Sequence, residues 1–138
     1  MKKAILSLTM FLITMATFAI TVPPAVKNAF AKMFPAATNI KWDKENAHEY
    51  EAGFTSGGKK FSANFSEAGE WLETESNIAF AALPETVRTS FLSSHKNNTI
   101  KAAAKIEKVN GGIQYEIEYM QGKKTKELMY NEAGKLLK

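Results

Sequence analysis

Hydrophobic residues near the start of the chain recur at helical spacing. Val26, Phe30 and Met33 fall on one side of a helix. Pro24 suits the first helical turn, where its missing backbone N–H is not needed. We therefore predict an amphipathic helix over roughly residues 24–34.

The same spacing returns in the second half of the chain. Val87, Phe91 and Leu92 lie on one side of a helix, and Glu85 lies near the first turn, where a carboxylate interacts favourably with the helix dipole. This pattern predicts a second helix over roughly residues 84–95.

After each predicted helix, hydrophobic and polar residues alternate, which is typical of strands with one buried and one wet face. The clearest run is IQYEIEY at 113–119, and YEAGF at 50–54 repeats it more weakly. Glycine-containing turns separate these runs and indicate hairpins. Each half of the chain is therefore expected to form one helix followed by three or four antiparallel strands.

The two halves match in order, which predicts tandem repeats over residues 22–75 and 83–138. The matched positions are Val26 with Val87, Phe30 with Phe91, Tyr50 with Tyr115, Phe65 with Tyr130, and Gly69 with Gly134. Two helices are too few to cover both faces of a sheet. We therefore predict an α+β fold in which one sheet of six to eight strands carries both helices on one face.

The other face of this sheet is expected to remain open to water. Strand alternation assigns to it Lys41, Asp43, Glu49, Glu51, Lys60, Ser62, Asn64, Lys105, Glu107, Glu116, Glu118 and Glu127.

The N-terminus has the pattern of a secretory signal. Lys2 and Lys3 precede an apolar run that extends to Ala19. We predict cleavage after Ala19, which leaves a single domain over 20–138 with no membrane span. The alternative is an uncleaved anchor, since about 18 apolar residues can span a bilayer. Both alternatives place the domain in the periplasm or outside the cell.

Composition excludes several classes of protein. Without Lys2 and Lys3, the basic residues fall from 18 to 16 against 14 acidic ones, and this balance argues against a nucleic-acid partner. The chain has no cysteine, so we expect its stability to come from packing rather than disulfides.

Catalytic and metal-binding patterns are weak. The only histidines, His48 and His95, are far apart, and Asp43 is the only aspartate. A nucleophile with its base, or a zinc site, needs more such groups at close spacing. We therefore predict no catalytic residue, no cofactor and no metal.

The residue singled out for binding is Trp71. If Leu72 points into the core, Trp71 points outward beside Glu73 and Glu75, as an interface anchor would. The opposite orientation, with Trp71 in the core and Leu72 outward, is left open.

These segments together resemble a known exported family. The motifs are VPPAVKNAF, YEAGF and SEAGEWLETE in the first half, and LPETVRTSF, YEIEY and NEAGKLL in the second. They are similar to the PepSY-like, beta-lactamase-inhibitor-like domains of Bacteroides-type bacteria. The resemblance implies a non-enzymatic, inhibitor-like binding module. Because the inhibitor protein itself carries disulfides, we do not expect beta-lactamase to be the target of this cysteine-free chain.

The resulting hypothesis is an exported domain that binds a protein or peptide on its open sheet face, in the inhibitory version by blocking a secreted or periplasmic hydrolase. The expected binding residues are Trp71, Glu73, Glu75, Glu51, Glu116 and Glu118. Three alternatives remain: an envelope protein that self-assembles through strand edges, a small-ligand carrier, and a hydrolase that uses Glu73, Glu75 and Glu51.

Overall fold

The structure, a computed structural model, describes residues 20–138. The predicted secretory signal at 1–19 lies outside the described residues. Helix α1 spans Pro24–Met33, and helix α2 spans Glu85–His95 after a short 3₁₀ turn at Phe80–Ala82. Both helices therefore lie where the spacing of hydrophobic residues predicted them.

Seven antiparallel strands follow one another in the sheet in chain order. They are β1 (Thr38–Asn46), β2 (Glu49–Ser56), β3 (Lys59–Ser66), β4 (Trp71–Ile78), β5 (Ile100–Lys108), β6 (Ile113–Gln121) and β7 (Lys124–Asn131). Every strand pairs with its neighbour in sequence, so the whole sheet is a meander. The predicted α+β class with one antiparallel sheet is confirmed.

Each helix buries two side chains against its own group of strands. Val26 and Phe30 of α1 pack on β2 and β3, where the Phe30 ring meets Phe54 edge-on at a centroid distance of 5.1 Å. In the second half, the ring of Phe91 meets Tyr119 edge-on at 5.4 Å. The T-shaped geometry suits aromatic quadrupoles. The sheet thus carries two core clusters, one under each helix.

Strand register shows that both clusters lie on the same side of the sheet. Ala63 in the first cluster is opposite Thr74, and Ile78, on the same side of β4 because it is an even number of residues away from Thr74, is opposite Ala103 in the second cluster. Residues opposite one another, or separated by two along a strand, share a face. Both helices therefore cover one face, as predicted, and the opposite face is called the open face below.

Equivalent glycines hold the two helices close to the sheet. Gly69 and Gly134 follow β3 and β7, respectively, and have φ values of 85° and 75°. A Cβ on Gly69 would lie 2.7 Å from the carbonyl oxygen of Ala25 in α1, and one on Gly134 would collide with the carbonyl oxygen of Thr86 in α2. Glycine is thus required twice, by backbone conformation and by close approach.

Substitution of these glycines should destabilise the fold strongly. Gly122 provides the control, since it also has positive φ, at 62°, but a Cβ placed on it would meet nothing within 4 Å. We expect Gly122→Ala to lower the free energy of unfolding by about 1 kcal/mol, and Gly69→Ala or Gly134→Ala to lower it by about 2 kcal/mol more. Urea unfolding would measure this, and equal losses at the three sites would contradict the close approach.

Candidate binding face

The centre of the open face is a cross-strand row of polar side chains. Glu51 of β2 is opposite Asn64 of β3, which is opposite Glu73 of β4, and Glu73 is opposite Lys108 of β5. The neighbouring row contains Glu75. Cross-strand partners on one face are close enough to interact directly. The hairpins of the first half and the β4–β5 pairing therefore bring polar side chains from four strands together, and those from β2, β4 and β5 are charged.

Small apolar side chains form a floor beside this row. Ala104 and Ile106 of β5 lie on the open face, opposite Glu116 and Glu75 respectively. They belong to neither core cluster, yet they are only 3% and 4% exposed. Neighbouring side chains must therefore cover them, and the long glutamates opposite are placed to do so. Carboxylates leaning over an apolar floor lose part of their hydration.

This loss of hydration changes the proton affinity of the central carboxylates. The pKa of Glu75 is raised to about 7, first by burial and then by the charges of Glu73 and Glu127, against a lowering by Lys108. The physical reason is that the charged form is poorly solvated and faces charges of its own sign.

Two further carboxylates behave in the same way. Burial, reinforced first by the charge of Glu45, raises the pKa of Glu51 to about 7. Burial, reinforced first by the charge of Glu75, raises the pKa of Glu116 to about 8. Carboxylates from β2, β4 and β6 therefore create a common region of negative potential, and few basic side chains of the sheet lie close enough to neutralise it.

Basic groups on the open face are fewer than acidic ones. Lys108 forms an ion pair with Glu73, and Lys138 lowers the pKa of Glu116 and Glu127. Register also assigns Lys41 and Lys60 to this face. The acidic groups are Asp43, Glu45, Glu49, Glu51, Glu73, Glu75, Glu116, Glu118 and Glu127.

A groove of about 750 Å³ opens at one end of this face. Its lining contains five amide side chains, those of Asn46, Asn64, Asn110, Gln114 and Asn131. Carboxylates, the ammonium group of Lys108 and apolar side chains, including the exposed Val109 and Leu137, complete the wall. Amides can both donate and accept hydrogen bonds, so the groove is chemically suited to polar chains such as peptide backbones.

Five of the six residues predicted for binding share the open face. Glu51, Glu73 and Glu75 lie in its central part, and Glu116 and Glu118 lie on β6 across the floor. The sixth, Trp71, lies on the helix-covered side.

A bulge in β4 explains the position of Trp71. Asn64 is opposite Glu73 while the next residue, Phe65, is opposite Trp71, so Leu72 is the extra residue. Trp71 packs against the first core cluster and its indole N–H donates to Thr74 Oγ1 at 2.9 Å. Leu72 lines the groove. The structure therefore shows Trp71 packed against the core and Leu72 pointing outward. The prediction that Trp71 lies on the same face as Glu73 is wrong.

Alternation also failed on β5. Lys105 and Glu107 were predicted on the open face, but Lys105 is opposite the buried Tyr115, and Glu107 is opposite Thr74 on the helix-covered side. The prediction is wrong because three consecutive alanines, at 102–104, carry no inside–outside signal. A register shift between Ile100 and Ala102 also changes the side that each residue faces.

Alternation placed Asn64 and Gln114 on the wet side of their strands but gave them no role, and Ala104 and Ile106 were missed. The signal for Ile106 was present, since a large apolar residue between Lys105 and Glu107 must be buried on one face or the other.

Within residues 20–138, no group of three or more His, Cys, Asp or Glu side chains is arranged to hold a metal ion. Among the described residues, no helix is long and apolar enough to cross a membrane.

The fold and this face agree with a family match. Residues 48–138 match the family described as "Putative beta-lactamase-inhibitor-like, PepSY-like". Because the match covers most of the chain, the protein belongs to this family, and the resemblance seen in its motifs is confirmed. No curated protein sequence matches.

Solved structures from Bacteroides species share the fold. A BLIP-like protein from Bacteroides fragilis is 29% identical with a TM-score of 0.73, covering 87% of this chain and 86% of its own. A DUF2874 family protein from Bacteroides ovatus is 26% identical with a TM-score of 0.76, covering 86% of both chains. A structure described as "putative periplasmic proteins" from Bacteroides eggerthii is 18% identical with a TM-score of 0.79 and shows the fold alone, covering 86% of this chain and 87% of its own.

Stability should depend on pH through the central carboxylates. Their pKa values lie above the ordinary 4.5 in the folded state, so the folded protein holds more protons than the unfolded chain between pH 4.5 and about 8. The stabilising contribution is complete below pH 4.5 and is lost as pH rises through 7 to 8. We expect the melting temperature to fall by about 3 °C or more between pH 5 and pH 8.

Charge-neutral variants would test this assignment. The double variant Glu75→Gln, Glu116→Gln should show a shallower fall in melting temperature over that range, because two of the three carboxylates with strongly raised pKa values are gone and only Glu51 remains. Glu107→Gln, on the helix-covered side, should keep the wild-type slope. Identical slopes for the three proteins would contradict the proposed origin of the pH dependence.

Proposed function

We propose that this protein is an exported, non-enzymatic binding module that recognises a protein or peptide on its open face. The observation that carries the proposal is the chemistry of that face: desolvated carboxylates surround a buried apolar floor, and an amide-lined groove opens beside them. A surface serving only solubility would keep such charges fully hydrated. Binding of a partner would recover the free energy lost by their desolvation.

The condition of the strand edges favours a partner on the face rather than at an edge. Residues at the C-terminus partly pair with β7, since the Met129 N–H donates to the carbonyl oxygen of Lys138 and Leu137 N–H to that of Met129. The opposite edge, β1, contains two register shifts and a residue with positive φ, Asn39. Irregular or covered edges pair poorly with another chain. The self-assembling envelope protein is therefore the less favoured alternative.

A relative and the N-terminal sequence support the finer parts of the proposal. The B. fragilis structure is named BLIP-like, which supports inhibition of a secreted or periplasmic hydrolase as the outcome of binding. The signal-like residues 1–19 support export. Family membership supports a non-enzymatic role, and Glu73, a candidate catalytic carboxylate, is already held by Lys108.

Affinity capture with matched bulky variants tests this function. Residues 20–138 would be immobilised and exposed to envelope and culture-fluid extracts. Ser62→Trp places a large side chain on the open face between Gly53 and Glu75, whereas Lys126→Trp places it on the opposite side of β7, beside Tyr119. We expect a specific protein to be retained by wild type and Lys126→Trp, and reduced about tenfold with Ser62→Trp, because the bulk blocks docking.

The same captured protein can be used to test whether binding inhibits a hydrolase. Its hydrolytic activity would be measured with saturating wild-type protein and with Ser62→Trp. Inhibition by wild type alone would support the proposal, while steady activity would reject inhibition and leave recognition. A partner retained equally by Ser62→Trp would contradict recognition on the open face.

A further inference from the structure

We propose that the partner presents a cationic segment to the open face, with an arginine or lysine side chain received between Glu51, Asn64 and Glu75. This inference rests on the proposed function and names the chemistry of the partner that such a face would select.

The first support is a pair of unsatisfied groups directly opposite each other. Asn64 is only 8% exposed, lines the groove, and makes no side-chain hydrogen bond to any other residue in the described part of the chain. Its cross-strand partner Glu51 has a buried Oε2 atom that accepts no hydrogen bond from residues 20–138. A buried acceptor such as Glu51 Oε2 is rare in folded proteins and is costly unless a partner satisfies it, while the Asn64 amide faces the groove without a partner among the described residues.

The chemistry of the two groups defines what can satisfy them together. The Glu51 carboxylate only accepts hydrogen bonds when ionised, and the Asn64 amide offers a carbonyl acceptor beside it. A ligand that donates to both must carry several N–H groups on one centre. A guanidinium has five in a planar fork, and an ammonium has three. A cation is also favoured because it stabilises the ionised form of the carboxylates.

The second support is the charge around this pair. Glu45, Glu73 and Glu75 all act on Glu51 with their negative charges, and Asp43 is directly opposite it on β1. Lys108, the nearest basic residue in this row, is already engaged by Glu73. The site therefore has a negative potential in a poorly solvated setting, where an incoming cation gains more than it would at an exposed surface.

The groove gives the segment a path beyond the cation. Its volume of about 750 Å³ is within the range of about 300–1,000 Å³ typical of ligand sites. Gln114 and Asn131, opposite each other on β6 and β7, can exchange hydrogen bonds with an extended backbone. Leu72 and Leu137 offer apolar contacts on the wall. The face thus suits a peptide segment better than an isolated cation.

Two matched peptides provide the direct test. Fluorescein-labelled SGVRSRVGS and SGVQSQVGS differ only in having arginine or neutral glutamine at two positions, and they would be titrated with residues 20–138 by fluorescence anisotropy at low salt. We expect the arginine peptide to bind at least about tenfold more tightly, as hydrogen bonds to a charged group would produce. Amide chemical shifts in the protein should change at Asn64, Glu73 and Gln114.

Charge-neutral variants locate the effect. Glu51→Gln, Glu75→Gln should remove most of the preference for arginine, whereas Glu107→Gln on the helix-covered side should keep it. Glutamine is nearly isosteric with glutamate, and removal of buried charges should not weaken the fold. Circular dichroism of each variant would verify folding before titration. If the double variant and Glu107→Gln lost the preference for the arginine peptide equally, the peptide would be attracted to acidic groups in general, and the inference would be overturned.

The remaining outcomes separate this inference from the proposed function. Equal affinity for the two peptides, or shift changes confined to the helix-covered side, would overturn the cationic site. The absence of any binding would also overturn it. In these cases recognition of a protein on the open face is still tested separately, by comparing the protein captured by Ser62→Trp with that captured by Lys126→Trp. Suppose that a captured partner is lost with Ser62→Trp but retained by the double variant Glu51→Gln, Glu75→Gln. This result would support recognition on the open face and would reject a cationic segment as the group recognised.

Discussion

The packing of one phenylalanine from each helix onto the sheet is the contact on which the rest of the structure depends. Phe30 and Phe91 are almost completely buried, and each meets an aromatic ring of the sheet edge-on. Burial of such side chains is the main favourable term available to a chain without disulfides. Because both rings approach from the same side, most large hydrophobic side chains of the strands face that side. The opposite face is consequently free to carry polar and charged groups.

This division lets one face form the core of the protein while the other carries partly dehydrated charges. The carboxylates of Glu51, Glu75 and Glu116 could not be buried in the core without a paired charge, since isolated buried charges are strongly unfavourable. On the open face they are held in an intermediate setting, partly dehydrated over Ala104 and Ile106 but still reachable. In this setting the negative charges of the three carboxylates are only weakly compensated by basic groups of the described residues.

The elements could be predicted well from the sequence, and the faces less well. Both helices followed from regular apolar spacing, and the open-face glutamates of β2 and β6 followed from strict alternation around residues such as Tyr115. The face on which Trp71 lies could not be predicted, because a bulge reverses which side of the sheet the following residues face and has no signature in the types of residue present. The shared potential of the carboxylates was also beyond reach, since it arises from register between strands rather than from neighbours in sequence. The partner's identity is not encoded in either pattern.

The strict chain-order meander has a kinetic consequence. Every strand pairs with the strand before or after it, and each helix packs on strands of its own half. Contacts are therefore local in sequence, and folding rates rise as contacts become more local. The first core cluster can form once residues up to about Phe65 are available, and β4 then presents a finished template on which β5 and the second cluster can assemble.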